Sequence, residues 1–325
     1  MRLSIVMPCY NEEAGLAAVV AQLLPLLEEL VSRGKIASGN IWLVDDGSRD
    51  GTWPLIERLA GDPRVIGVKL SRNRGHQNAL LAGLLSADGD AVISLDADLQ
   101  DDIAVIEEMI DAFHAGNEVV FGVRRSRVDD SLFKRWTARR YYSLLRTLGV
   151  DVVPDHAEFR LLGRAALNAL AQYPETNLFL RGLVPQLGFR SARVFYDRKL
   201  RLAGETKYPL GRMVGLGVDG ITSFSAVPLR LIAAGGAMLF VLSTLVALWV
   251  VGVRLFTDRA VPGWASTTLP IYALGGVQLL CLGVVGEYVA KIYLEVKRRP
   301  RYIVERLTGD RQVVIEARHK TESRQ

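Results

Sequence analysis

Cysteine is scarce: the 325 residues hold two, Cys9 and Cys281, the second inside an uncharged apolar run. A structural disulfide is not expected from such a pair, and a reducing compartment fits. No secretory leader is read at the start, because Met1 to Met7 looks like a short strand leading into Pro8, without a basic stretch followed by an apolar core. Internal repeats and low-complexity stretches are absent. A large excess of charge is absent too. The formal net charge is +5, and the basic residues are not spread along one binding face, so nucleic acid is not indicated. They gather instead at Lys134, Arg135, Arg139, Arg140 and Arg146, and again at Lys291, Lys297, Arg298, Arg299 and Arg301. Both clusters suit an anionic membrane surface.

Apolar residues are abundant. They make up 50% of a chain that still carries 23% charged residues, and the mean hydropathy is +0.19. The excess sits in two runs without a charged side chain, Leu231 to Val253 and Ala260 to Gly286. Each is long enough, as a helix, to cross a hydrocarbon core of about 30 Å. The second run is followed by Lys and Arg, whereas the connection between the runs holds only Arg254 and Arg259. That bias predicts a transmembrane hairpin with both flanking parts in the cytoplasm. The expected division is a cytoplasmic domain over 1–225, two transmembrane helices over 226–292 and a basic cytoplasmic tail over 293–325.

Before the apolar runs, short apolar stretches alternate with helical patterns, as in an α/β domain with a parallel sheet and crossover helices. Strands are expected at Leu3 to Met7, Ile41 to Val44, Val65 to Leu70, Ala91 to Leu95 and Val119 to Val123. Helical periodicity marks Ala14 to Arg33, Thr52 to Ala60, His76 to Ser86 and Ile103 to His114. Over 131–149 apolar and basic residues interleave at helical spacing. This fits a helix packed on the sheet or one lying in a membrane interface, and the apolar runs nearby favour the interface.

Ligands of such sheets bind at the carboxyl ends of the strands. After the first strand, Pro8 and Asn11 turn the chain, Tyr10 offers a ring to a flat ligand and Glu12 follows. After the second stand Asp45 and Asp46, either of which could accept a hydrogen bond from a base; Asp50 or Thr52 caps the next helix, leaving the pair free for a ligand. The fourth strand runs into Asp96-Ala97-Asp98-Leu99-Gln100. Two carboxylates one residue apart, with an amide oxygen, offer hard donors for Mg²⁺ or Mn²⁺ bridging a diphosphate. Charges at the tip of a buried strand also call for a compensating cation or polar ligand. Asp101 and Asp102 are expected to cap the following helix.

Taken in order, Pro8-Cys9-Tyr10-Asn11-Glu12, Val44-Asp45-Asp46-Gly47-Ser48, Leu70-Ser71-Arg72-Asn73-Arg74-Gly75-His76-Gln77 and Asp96-Ala97-Asp98-Leu99-Gln100 resemble the inverting GT-A glycosyltransferases of family 2. The likeness is greatest to the polyprenyl-phosphate branch, which includes dolichyl-phosphate mannose synthases and bactoprenol glucosyltransferases. It continues through Phe159-Arg160-Leu161-Leu162, Phe179-Leu180-Arg181-Gly182-Leu183, Ala203 to Leu210 and the apolar runs. The resemblance implies a GT-A, Rossmann-like domain in an integral membrane enzyme. Its donor would be a nucleotide sugar, UDP-glucose by first choice, with another UDP-sugar or GDP-mannose open. Its acceptor would be a polyprenyl phosphate, and a homo-oligomer is left open. By the same resemblance Pro8, Tyr10, Asn11, Glu12, Asp45 and Asp46 would hold the nucleotide, and Asp96, Asp98 and Gln100 the metal and diphosphate. Arg124 and Arg181 would lie near the phosphates, and Lys207 in a phosphate-binding loop. Where the family commonly has Gly-Asp-Phe-Arg, this chain has Ala157-Glu158-Phe159-Arg160, which puts a longer carboxylate near the acceptor.

Competing readings lack their signatures. A processive polysaccharide synthase usually carries Gln-x-x-Arg-Trp and more spans, but Leu132 precedes Arg135-Trp136 at the relevant spacing. A non-catalytic membrane scaffold is disfavoured by the intact Asp-x-Asp. Gly215-Leu216-Gly217-Val218-Asp219-Gly220 satisfies a dinucleotide pattern but precedes an apolar run instead of joining a first strand to its helix.

Overall fold

The computed structural model describes residues 1–98, 100–124, 156–175, 178–197, 229, 232–239, 241–242, 245, 248–249 and 264–308. The expected interface helix at 131–149, Lys207 with its loop at 203–210, and the tail beyond 308 lie outside the described residues. The described chain divides into two compact units, one holding 1–124, 156–197 and 298–308, the other the described parts of 229–249 and 264–297.

The first unit is built on one mixed sheet. Among the described residues its strands are β1 (Arg2–Cys9), β2 (Ser38–Asp45), β3 (Val65–Leu70), β4 (Ala91–Ser94), β5 (Val119–Arg124), β6 (His156–Gly163), β7 (Ser191–Tyr196) and β8 (Val304–Leu307). Their spatial order is β7, β5, β6, β4, β1, β2, β3, β8. Strands β1 to β4 run parallel to one another, β6 enters antiparallel between β4 and β5, β7 lies parallel to β5, and β8 closes the far side antiparallel to β3. The inner strands read as continuous apolar runs because both of their faces are covered.

On one face α1 (Leu16–Ser32), α2 (Thr52–Leu59) and α4 (Ile106–His114) bury Leu23, Leu27, Ile56, Met109 and Ile110 against Leu3, Ile5, Met7, Leu43, Ile93 and Leu161. On the other, α3 (His76–Ser86), α5 (Arg164–Ala171) and α6 (Leu180–Gln186) bury Leu80, Leu84, Leu167, Leu170 and Leu183 against Val6, Val44, Val68, Val92 and Leu162. Each such side chain, fully buried, contributes about 1.5–3 kcal/mol. The approach of α3 is close: a Cβ on Gly83 would stand 2.3 Å from Val6 Cγ1 and 2.7 Å from Val44 Cγ2.

Directions in the sheet decide what gathers where. The parallel strands β1 to β4 end at the same edge, and because β6 is antiparallel to both β4 and β5, the carboxyl ends of β5 and β7 and the amino end of β6 come to that edge as well. Chain connectivity reverses between β1 and β4, since α1 leads from β1 to β2 while α3 carries the chain from β3 back past β1 to β4. A switch point of this kind opens a crevice beyond the strand ends.

Most elements lie where periodicity places them, β3 and α3 at the expected ends. The reading of Ile103 to His114 as one helix is modified, because Ile103–Val105 is a 3-10 turn whose start is capped by Asp102 accepting from Ala104 N at 3.2 Å. Strand β8 comes from the stretch expected to be tail. It is held by Thr308 Oγ1 accepting from Gly67 N at 2.7 Å and by Lys69 paired with Glu305 at 3.0 Å.

In the second unit one helix, α7 (Trp264–Val296), runs for 33 residues. At 1.5 Å per residue it is about 50 Å long. Its segment Val277–Val296 has a mean hydropathy of 1.5 and is long and apolar enough to cross a membrane. Ile271, Leu279, Leu282 and Val289 are exposed along it. The helix reaches ten residues beyond the expected end of the second apolar run. Of the first run only 232–239, 241–242, 245 and 248–249 are described, and they are helical. The expected two-helix hairpin therefore stands here as a single described spanning candidate.

Candidate active site

The loop after β1 is stitched to the start of α2. Asn11, at a φ of +56° that asparagine tolerates, donates its backbone N–H to Ser48 Oγ at 3.0 Å, and its Oδ1 accepts from Arg49 N at 2.9 Å. Glu12 N donates to Thr52 Oγ1 at 2.9 Å, and Asp50 accepts from Thr52 N at 3.1 Å. Asp50 thus fastens the first residue of α2 from just outside the helix, while the N-cap position itself is Gly51 and not the expected Asp50 or Thr52. The stitching leaves Pro8 buried and the Tyr10 ring 43% exposed. Of the proposed nucleotide contacts on this loop, Tyr10 is open to a ligand, whereas the Asn11 side chain shapes the turn.

Asp45 and Asp46 are not free side chains. Asp46 Oδ1 accepts from Arg74 N at 2.7 Å and Oδ2 from Gly75 N at 2.9 Å, so both oxygens fasten the loop between β3 and α3. Gly47 makes this possible, with φ at +67° and a position where a Cβ would lie 2.5 Å from Asn73 N. Asp45 Oδ1 accepts from Ser48 N at 3.1 Å, while its Oδ2 is buried with no hydrogen-bond partner. Burial raises the pKa of both carboxyls, opposed at Asp45 by bonds from Ser48 and at Asp46 by the Arg74 and Gly75 amides. The expectation that both stand free is corrected for Asp46, because loop amides consume its acceptors.

Past β4, Asp96 and Asp98 are half-buried. His76, first residue of α3, donates Nε2–H to Asp96 Oδ1 at 3.1 Å. Burial disfavours ionisation of Asp96, but the bond from His76 and the pull of His76, Arg181 and Arg124 outweigh it and hold the carboxyl below its ordinary range. Asp98 Oδ1 accepts from Gln100 N at 3.2 Å, and Gln100 itself is buried, unlike the two aspartates it was grouped with.

The register of β4 with β6 pairs Ser94 with Arg160. The ladder ends there, with Asp96 two residues past Ser94 and Glu158 two residues before Arg160. Glu158 and Arg160 share a face of β6, opposite to Phe159, whose ring meets Tyr196 edge-on at 5.5 Å. Both charged residues are almost wholly buried, at 3% and 0% exposure. Glu158 accepts from Arg160, from Arg181 Nε at 2.8 Å and from Gln77 Nε2 at 2.8 Å. Burial and the like charge of Arg181 lower the pKa of Arg160 to about 9, against the pull of Asp96, which leaves it charged near neutrality. A second network backs Arg124. Its Nε donates to Tyr196 Oη at 3.3 Å and its Nη2 to Asp101 Oδ1 at 3.4 Å, and the Tyr196 hydroxyl donates to the same oxygen. Asp101 is buried in this cluster and is no helix cap; that role falls to Asp102 alone.

Asp96, Asp98, Glu158, Arg124 and Arg181 therefore meet at one sheet edge, with Asp45 and Tyr10 on the same edge across the switch point. His76, Gln77, Arg160, Asp101 and Tyr196 belong to the site although sequence reasoning gave them no role in it. Arg160 carried a signal, a charge inside the apolar run Phe159 to Leu162; Tyr196 carried none. Lys207 lies outside the described residues. Among the described residues no three His, Cys, Asp or Glu side chains are grouped to hold an ion. The chain could offer a divalent cation the two hard carboxylates of Asp96 and Asp98, a donor set that fits Mg²⁺ or Mn²⁺ only if other oxygens complete it.

The mixed α/β sheet is GT-A-like, and its crossover edge collects both carboxylates and guanidiniums. Comparison with known proteins agrees with that class. The pattern described as Glycosyl transferase family 2 matches residues 4–171, and the chain belongs to this family. It is 47% identical to the uncharacterized glycosyltransferase YkoT of Bacillus subtilis over 311 residues, 93% of this chain and 91% of that one. It is 36% identical to the prophage bactoprenol glucosyl transferase homolog of Escherichia coli K12, covering 94% of this chain and 99% of that protein. With the bactoprenol glucosyl transferase of Shigella phage SfII the identity is 37%, over 94% of this chain and 98% of the other. The protein is a glycosyltransferase.

Proposed function

We propose that the protein transfers a hexose, glucose from UDP-glucose as first choice, to a polyprenyl phosphate at the cytoplasmic face of a membrane, with inversion at the anomeric carbon. The observation that supports this most is the reach of the similarity to bactoprenol glucosyl transferases, which at 36–37% identity covers 94% of the chain and so extends well beyond residues 4–171 matched by the family pattern. An acceptor anchored in lipid also accounts for an apolar helix in a chain whose chemistry sits on a sheet.

On this reading Tyr10 and Asp45 hold the base, with the unpartnered Asp45 Oδ2 as acceptor for a base N–H, while Pro8, Asn11, Glu12 and Asp46 form the frame around them. Arg124 and Arg181, whose charges both reach Asp96, bind the diphosphate oxygens. Asp96 and Asp98 would hold Mg²⁺ or Mn²⁺, whose chemical contribution is positive charge beside the leaving diphosphate. The acceptor phosphate needs no strong base, because the second pKa of a phosphate monoester is about 6. Its oxygen attacks the anomeric carbon from the side opposite the nucleotide. The bond to the diphosphate oxygen breaks, and the electron pair leaves with the nucleoside diphosphate. Placement and charge stabilisation carry such a step. Lys207 is proposed at the phosphates and 131–149 in the membrane interface, and the apolar runs are proposed as a hairpin with both ends cytoplasmic.

The test is incubation of membranes containing the protein with polyprenyl phosphate and each of a panel of labelled nucleotide sugars. One donor is expected to give a lipid-linked monosaccharide. No lipid-linked sugar from any donor, or label in a long polymer, would overturn the proposal.

A further inference from the structure

We infer that Gln77 and Glu158 are positioning residues that hold the Arg181 guanidinium ready for the donor's diphosphate, and that Glu158 does not act as a base. The inference rests on the reading of Arg181 as a diphosphate contact. Three elements far apart in sequence converge here: the start of α3 with Gln77, the amino end of β6 with Glu158 and Arg160, and the start of α6 with Leu180 and Arg181. The peptide groups of Leu180 are gripped on both sides. Its N–H donates to Gln77 Oε1 at 3.0 Å, and its carbonyl accepts from Arg160 Nη1 at 3.1 Å. The next residue, Arg181, is then caught through its side chain, with Nε donating to Glu158 Oε1. That bond uses the inner nitrogen. The side chain stays 44% exposed, and among the described residues its two terminal nitrogens make no hydrogen bond, so the forked end is presented outward.

The chemistry of each member fits holding. Glu158 already accepts on both oxygens, from two guanidiniums and an amide, in a nearly closed environment. Three of the roughly four acceptor positions of the carboxylate are thus taken, with both oxygens engaged by residues of the chain. Gln77 faces an acceptor-only carboxylate with one end of its amide and a donor-only backbone N–H with the other. Glutamine satisfies both at once; glutamate would set a second carboxylate against Glu158, and an apolar residue would leave both partners short. An arginine free in solvent loses up to about 2 kcal/mol of side-chain entropy when a ligand fixes it. Paying that entropy during folding leaves more of the contact for ligand binding.

The experiment measures UDP binding to the full-length protein in lipid nanodiscs with Mn²⁺, by titration calorimetry, for Gln77→Ala, Gln77→Leu, Glu158→Gln, Arg181→Ala and the Gln77→Ala/Arg181→Ala double variant. Arg181→Ala is expected to weaken UDP at least about tenfold, which is 1.4 kcal/mol. Gln77→Ala and Glu158→Gln should weaken it several-fold, and the double variant should bind no worse than Arg181→Ala alone. Normal UDP binding by Gln77→Ala, or penalties that multiply in the double variant, overturns the clamp while leaving Arg181 as a phosphate contact. Normal binding by Arg181→Ala overturns that contact and the clamp with it. If Glu158→Gln keeps its UDP affinity but loses turnover, Glu158 is a base and the inference fails. If neither Gln77 variant shows a cooperative thermal transition, the network is a folding brace, which overturns it equally.

Discussion

At the end of β2, Asp45 and Asp46 are 0% and 2% exposed, and three of their four carboxylate oxygens accept from backbone amides nearby. At the end of β4, with only β1 between, Asp96 and Asp98 are half-buried, Asp96 bonded to the His76 ring and Asp98 to one backbone amide, that of Gln100. The residue types match and the strand positions match. What separates the pairs is the local supply of donors. The loop Arg72 to Gly75 folds over β2 and points its amides at Asp46, while Asp96 faces the side chain of His76 and the charges of two arginines. A carboxylate surrounded by backbone N–H groups is spent on structure, and one surrounded by mobile or ligand-seeking cations is available for chemistry.

This contrast is sharpened by experiments of decreasing expected size. Asp98→Ala should reduce sugar transfer at least about 100-fold, or about 2.7 kcal/mol of barrier, while shifting stability by less than about 1 kcal/mol; chelation should have a comparable effect on the wild type, reversed by added Mg²⁺ or Mn²⁺. Undiminished transfer in a chelator would remove the metal from the proposal. Asp46→Ala should show the reverse profile. The Arg74 amide loses its acceptor while Gly75 N keeps Asn73 Oδ1, so the expected cost in chemical denaturation is about 1–3 kcal/mol, that of one unsatisfied group; an unchanged midpoint would mean that the loop holds itself. Tyr196→Phe deletes the hydroxyl shared by Asp101 and Arg124 and should cost about 1–2 kcal/mol in the same assay. The smallest change is expected for Glu305→Ala, which breaks a half-exposed pair with Lys69, and thermal melting should register under about 1 kcal/mol.

Much of the α/β frame was legible because hydrophobic period and turn chemistry agree in it. Val65 to Leu70 and His76 to Ser86 have both an apolar pattern and clear flanks. Strand β6 was not legible as a strand: Glu158 and Arg160 interrupt its apolar run, and only the folded partners Gln77 and Arg181 explain charges there. Four residues of β8 give no period to read, and their pairing partner β3 lies 236 residues earlier at Lys69 and Glu305. The candidate site was legible as a set of strand ends. Which carboxylate is occupied was not, since Asp46 is satisfied by amides 28 and 29 residues away.

Strand β8 also orders events in time. The edge of β3 is covered by a strand that the ribosome makes only after α7. Until then the nascent sheet carries an open row of amides and carbonyls, the kind of edge that recruits foreign strands. Completion of the catalytic sheet is thus deferred until the apolar helix has been synthesised. A fragment ending before Leu231, ahead of both apolar runs, would keep every proposed site residue described here and still expose that edge, so self-association measured by light scattering is the expected behaviour of the fragment.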